Sequence, residues 1–153
     1  MRDPRELGDP GRPSFQVDKY PFYLLNRLVS RYNAVIVERL RTIGIDIPTW
    51  RVLMILGEKA PRGIGEIAEA AVINVSTMTR IIQRMTRSNL VDCRILAEDA
   101  RVTEVQLTAL GEEKLASARD ITAPVYANVI RGFTQRQFDQ LIASLNRLHD
   151  NLA

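Results

Sequence analysis

Seven side chains that can hydrogen-bond to nucleic acid fall within one short stretch: Ser76, Thr77, Thr79, Arg80, Gln83, Arg84 and Arg87. Arginine pairs bidentately with guanine and glutamine with adenine, while serine and threonine suit several base edges. On a helix turning 100° per residue, Met78, Ile81, Ile82 and Met85 of the same stretch converge on one face. That face must enter a core, which leaves the polar set on the remainder. The N-terminal part of a helix lying in a groove reaches bases and the later part reaches backbone. Ser76, Thr77, Thr79 and Arg80 are therefore the candidate base readers. Arg84 and Arg87 are candidate phosphate contacts or structural ion pairs.

A second constellation is Asp99-Ala100-Arg101. It lies between two strand-like runs, one opening at Leu90-Val91 and one over Val102–Leu107, where Thr103, Val105 and Leu107 alternate on one face. An arginine at such a tip can enter a DNA minor groove, whose negative potential attracts guanidinium. Asp99, two residues earlier, can hold that arginine extended.

The elements that must position these groups follow from local signals. A helix is expected from about Tyr20 to Ile43, closed by Gly44. A second starts at Pro48 and stops at Gly57, and a loop with Pro61 and Gly63 follows. A short third helix covers about Gly65 to Ala71. Asn74 caps the polar helix just described, and Asn89 takes the left-handed position after it. Thr108 caps a long helix to about Ile130, which Pro124 should kink or break. Thr134 and Gln137 form a capping box for a last helix striped with Phe138, Leu141, Ile142, Leu145 and Leu148. The order helix, turn, helix, two-stranded wing is the grammar of a winged-helix DNA reader.

At 153 residues, the chain fits one domain with an added dimerisation element. Its net charge of +3 only weakly favours nucleic acid. Residues 61–105 hold six arginines against six acidic residues, so any DNA binding depends on where the arginines point. One cysteine excludes an internal disulfide, and one histidine with that cysteine is too few for the usual metal sites. No phosphate loop, nucleophile elbow or paired acid–base set argues for an enzyme or a cofactor. The longest apolar run is too short to span a membrane, and residues 1–17 lack the apolar core of a secretory signal. The expected place is the cytoplasm, on the nucleoid when DNA is bound.

As a set, these residues resemble the multiple antibiotic resistance regulator (MarR) family of transcription factors. The resemblance is carried by Ile47-Pro48-Thr49-Trp50-Arg51-Val52-Leu53, Glu66-Ile67-Ala68-Glu69, Ser76-Thr77-Met78-Thr79-Arg80, Arg84-Met85, Leu90-Val91, Asp99-Ala100-Arg101 and Leu107-Thr108-Ala109-Leu110-Gly111. It spans about residues 20–150. Asn89 stands where the family usually has glycine, and Ala100 replaces a frequent second arginine.

The resemblance implies a mainly α fold with a small β-hairpin, a winged helix-turn-helix lobe over 47–108, and dimerisation helices over 20–43 and 109–153. Residues 1–18, rich in proline and glycine, are expected to form an irregular arm. The implied partners are a second copy of the chain and a pseudo-palindromic double-stranded operator. The implied action is repression released by a small aromatic or anionic effector, with Tyr32, Arg39, Trp50 and Met54 as candidate liners. Two alternatives stand beside it. One is a thiol response at Cys93, beside Arg94, whose charge favours a thiolate. The other is a winged helix used only for protein contacts.

Overall fold

The computed structural model describes residues 3–153. Two of its helices are twenty-one residues long: α2 (Pro21–Arg41) and α6 (Ala109–Val129). They pack against one another beside a lobe made of α3 (Ile47–Glu58), β1 (Arg62–Gly63), α4 (Ile64–Ala71), α5 (Val75–Arg87), β2 (Val91–Ile95) and β3 (Thr103–Leu107). A last helix, α7 (Gln135–Asp150), closes the chain.

The caps fall where short-range chemistry puts them. Asn74 accepts from the Thr77 amide at 2.8 Å, Thr108 from Gly111 at 3.0 Å, and Thr134 with Gln137 completes its box. Gly44 and Asn89 both take positive φ, as helix ends require. Val72, between α4 and α5, also has a left-handed backbone, φ 55°. A β-branched residue there is strained, and nothing in its type announces it.

Three expectations need correction. Residues 3–18 are not an irregular arm. Asp3 caps a short helix, α1 (Pro4–Leu7), and a 3₁₀ turn follows at Val17–Lys19. The rings of Phe15, Tyr20 and Phe22 meet edge to face and fasten this segment to the head of α2. Met1 and Arg2 lie outside the described residues. The loop with Pro61 and Gly63 contains a third strand. Arg62 and Gly63 pair antiparallel with Val105 and Glu104, giving the sheet order β1-β3-β2. Of the two outcomes expected at Pro124, a kink or a break, the break does not occur, and α6 runs through it.

Two cores share α6. The lobe core joins Leu53, Leu56, Ile67, Met78, Ile82, Met85, Val91 and Val105 to Leu115 of α6. The second core joins Ile36 and Leu40 of α2, Trp50 of α3, and Ala118 and Val125 of α6. Burying each large side chain is worth about 1.5–3 kcal/mol. Leu115 thereby ties the lobe to the long helices. α7 buries none of its residues, and Leu141, Ile142, Leu145 and Leu148 stay exposed along one stripe. Phe22, Leu28, Val29 and Val35 of α2 are exposed as well. No helix among the described residues is long and apolar enough to cross a membrane.

Candidate nucleic-acid interface

The four apolar residues of α5 are buried as its periodicity requires, so the helix's orientation is fixed. Ser76, Arg80, Gln83 and Arg87 then recur one turn apart on the opposite face, all exposed. Thr77 and Thr79 lie on its two flanks. Two of the expected base readers already use their hydroxyl protons. Ser76 Oγ donates to Asn74 Oδ1 at 2.8 Å, and Thr79 Oγ1 donates to the Val75 carbonyl at 2.9 Å.

The six arginines of residues 61–105 sort into two groups. Arg62 pairs with Glu58, Arg84 with Asp46, Arg94 with Glu104, and Arg101 with Asp99. Among the described residues, Arg80 and Arg87 have no acidic partner. That stretch, neutral in bulk, leaves two arginines unpaired, both on the outer face of α5. Arg51 of α3 has no acidic partner among the described residues either, but it opens onto the surface lined by Met54 and Val72.

Of the two roles open to Arg84, the folded chain shows the ion pair. Arg84 Nη2 donates to Asp46 Oδ2 at 2.9 Å and to Thr49 Oγ1 at 3.3 Å. Asp46 is also the N-cap of α3, accepting from the Thr49 amide at 2.9 Å. Partial burial raises the Asp46 pKa, but hydrogen bonds from Thr49 and the Arg84 charge outweigh it and hold the carboxyl below its usual range. The capping role of Asp46 was open to sequence reading, as an aspartate just before Ile47-Pro48. Its tie to Arg84 was not.

In the wing, Arg94 faces Glu104 directly across β2 and β3 at 3.0 Å. At the tip, Asp99 accepts from the Arg101 amide at 3.0 Å and from its Nε at 3.1 Å. These bonds hold Asp99 below the usual carboxylate range. The Arg101 side chain is 91% exposed, so it is braced at its base and free to contact a groove. Cys93 is exposed on β2 and faces Thr86 at 3.7 Å. The neighbouring Arg94, expected to favour its thiolate, is turned to Glu104 instead.

Of the four expected effector-liners, Tyr32 and Trp50 come together and Arg39 and Met54 do not join them. Trp50 is buried in the second core with Tyr32 partly buried beside it. Arg39 is exposed, and Glu38 pairs with Arg41 rather than with it. Met54 opens onto a different surface, next to Arg51 and Val72. Tyr32 and Arg39 share a face of α2, and Trp50 and Met54 a face of α3. What divides the four is burial, with Tyr32 and Trp50 drawn into the second core and Arg39 and Met54 left exposed. A crevice of about 560 Å³ opens instead where α2, α3, α5 and α6 meet. Arg41, Asp46, Thr49, Arg84 and Lys114 line it, above Met85, Leu90 and Leu110.

Comparison with known proteins agrees with this geometry. The MarR family profile matches residues 45–103. The HTH-type transcriptional repressor IacR of Pseudomonas putida is 35% identical over 144 residues, covering 94% of this chain and 86% of that protein. The crystal structure of a MarR family transcriptional regulator from Silicibacter pomeroyi superposes with a TM-score of 0.81 at 25% identity, covering 90% of this chain and 93% of the other. A mutant E. coli MarR complexed with operator DNA shares the fold, with a TM-score of 0.73 at 17% identity over 82% of this chain and 90% of the other. The lobe that carries α5 and the wing, and the long helices beside it, are those of the MarR family of transcriptional regulators, to which this chain belongs.

Proposed function

We propose that the chain is a homodimeric repressor that reads a pseudo-palindromic double-stranded operator and releases it when a small anionic effector binds. One observation carries the DNA reading. In residues 61–105, where the other four arginines are paired internally, Arg80 and Arg87 stand uncompensated on the outer face of α5. With Arg101 at the wing tip, they give each lobe a major-groove reader and a minor-groove probe. The exposed stripes of α7 and α2 supply the dimer contact, because they need a partner and the simplest is a two-fold copy. Such a regulator acts on DNA in the cytoplasm, and its lobe is built for binding rather than for catalysis.

The crevice at the junction supports the effector reading. Arg41, Arg84 and Lys114 line it over an apolar floor. Arg41 and Arg84 have acidic partners in Glu38 and Asp46, and Lys114, which donates to the Ile43 carbonyl, has none among the described residues. An aromatic carboxylate fits that chemistry. It would compete with Asp46 for Arg84 and so loosen the end of α5. Selection of bound sequences from a random duplex pool tests the DNA reading. A two-fold symmetric motif with salt-dependent affinity is expected, and recovery of no motif overturns it. Light scattering tests the assembly, where a full-length monomer at micromolar concentration overturns the dimer.

A further inference from the structure

Val75 is the first residue of α5, and its side chain is 56% exposed. It contributes nothing to either core. A β-branched residue is also a poor helix former, so neither packing nor propensity accounts for valine at this place. Thr79 lies one turn on and therefore beside it on the same flank. Its hydroxyl proton is engaged by the Val75 carbonyl at 2.9 Å. What Thr79 has left for a base edge is a lone pair and its γ-methyl. Val75 and Thr79 together form a short methyl-bearing strip along the edge of the outer face that carries Ser76 and Arg80.

In a major groove, the one apolar feature of any base edge is the C5-methyl of thymine. We infer that Val75, seconded by Thr79, is a specificity-determining residue that selects thymine by methyl contact, next to the position read by Ser76. This deepens the DNA-reading assignment and rests on it. The occupant follows from continuity. Thr79 lies three residues after Ser76, so the strip borders Ser76, and a base pair placed against Ser76 brings its neighbour against Val75.

The test uses the full-length protein and the operator recovered by selection. Thymines are replaced one at a time by deoxyuridine, which removes the methyl and keeps the pairing. At one symmetry-related pair of positions, the wild type is expected to lose about three- to ten-fold in affinity, the worth of one buried methyl contact. Val75→Ala should show the same loss on the thymine operator and no further loss on the deoxyuridine one. Thr79→Ser, which keeps the hydroxyl, should weaken discrimination in the same half-site. Val75→Ala removes no atom from either core and favours the helix, and a thermal melt by circular dichroism verifies its fold. If no thymine responds, or if Val75→Ala still distinguishes thymine from deoxyuridine, the strip faces something other than DNA and the inference is overturned. If selection recovers no operator at all, the DNA-reading assignment itself fails and the inference falls with it, a result distinct from an operator that binds without methyl sensitivity.

Discussion

The guanidinium of Arg84 lies 2.9 Å from the carboxylate of Asp46, joining the reading helix to the first turn of α3 across 38 residues of chain. The same carboxylate caps α3 through the Thr49 amide. It stands at the corner where the long helix α2 hands over to the lobe. One acidic side chain therefore fixes both the start of α3 and the tilt of the helix that carries Arg80 and Arg87.

Replacing Asp46 by asparagine keeps a good cap but removes the charge. Both partners are about half exposed, so solvent screens the pair and a loss of only about 0.5–1 kcal/mol is expected near pH 7. The folded-state pKa of Asp46 is depressed. Its stabilisation is therefore complete above the unfolded carboxylate value and is lost as pH falls through the lower, folded value. Urea midpoints of wild type and Asp46→Asn should differ at neutral pH and converge below a pH of about 4. A gap that widens in acid would contradict this.

Arg101→Ala should leave fold and dimer intact, since the tip is exposed. Operator binding should weaken by about 1–3 kcal/mol, the scale of one good groove contact. Asp99→Asn removes the brace without removing the cation, so its loss should be smaller. Fluorescence anisotropy on the selected operator measures both. Equal or reversed losses would mean that Asp99 does more than orient its neighbour.

Arg80 and Arg87 share a face but sit at opposite ends of it. Arg80→Ala should relax the preferred sequence at one or two positions in each half-site. Arg87→Ala should weaken all duplexes alike and lower the salt slope by about one unit per lost phosphate contact. Repeating the selection and the salt titration on both variants separates the roles. Exchanged phenotypes would show that the insertion of α5 is shallower or deeper than proposed.

Gly111 lies where α6 begins, tight against the lobe. A Cβ added there would overlap the carbonyl oxygen of Leu90. That oxygen cannot give way cheaply, because it accepts from the Thr108 amide at 3.1 Å. Gly111→Ala should therefore destabilise the protein by about 1–3 kcal/mol despite alanine's better helix propensity. A chemical denaturation curve unchanged by the substitution would show that the junction is looser than described.

Much of the fold was legible because its signals are local. Asn74, Thr108, and Thr134 with Gln137 announce their helices by capping chemistry that needs no distant partner. The orientation of α5 follows from four apolar residues at helical spacing. The features that escaped depend on contacts between distant segments. β1 is a two-residue strand defined by β3, forty residues on. Arg84 needed Asp46 to decide between phosphate contact and ion pair. Tyr32, Arg39, Trp50 and Met54 have suitable types for an effector pocket, but the packing of α2 on α3 draws Tyr32 and Trp50 into a core and leaves Arg39 and Met54 exposed. Lys114 and Arg41 were missed because a crevice where four helices meet leaves no mark on any one of them.

The exposed stripe of α7 has a consequence for how the protein responds to its own abundance. A helix with no buried residue in the single chain takes its stability from the partner copy. Folding and assembly then obey one mass-action law, in which each tenfold dilution removes about 1.4 kcal/mol per dimer. The melting temperature should therefore rise with protein concentration. Dilution also separates the two lobes whose joint attachment gives tight operator binding. A falling supply of the chain thus weakens its hold on DNA and its resistance to unfolding together.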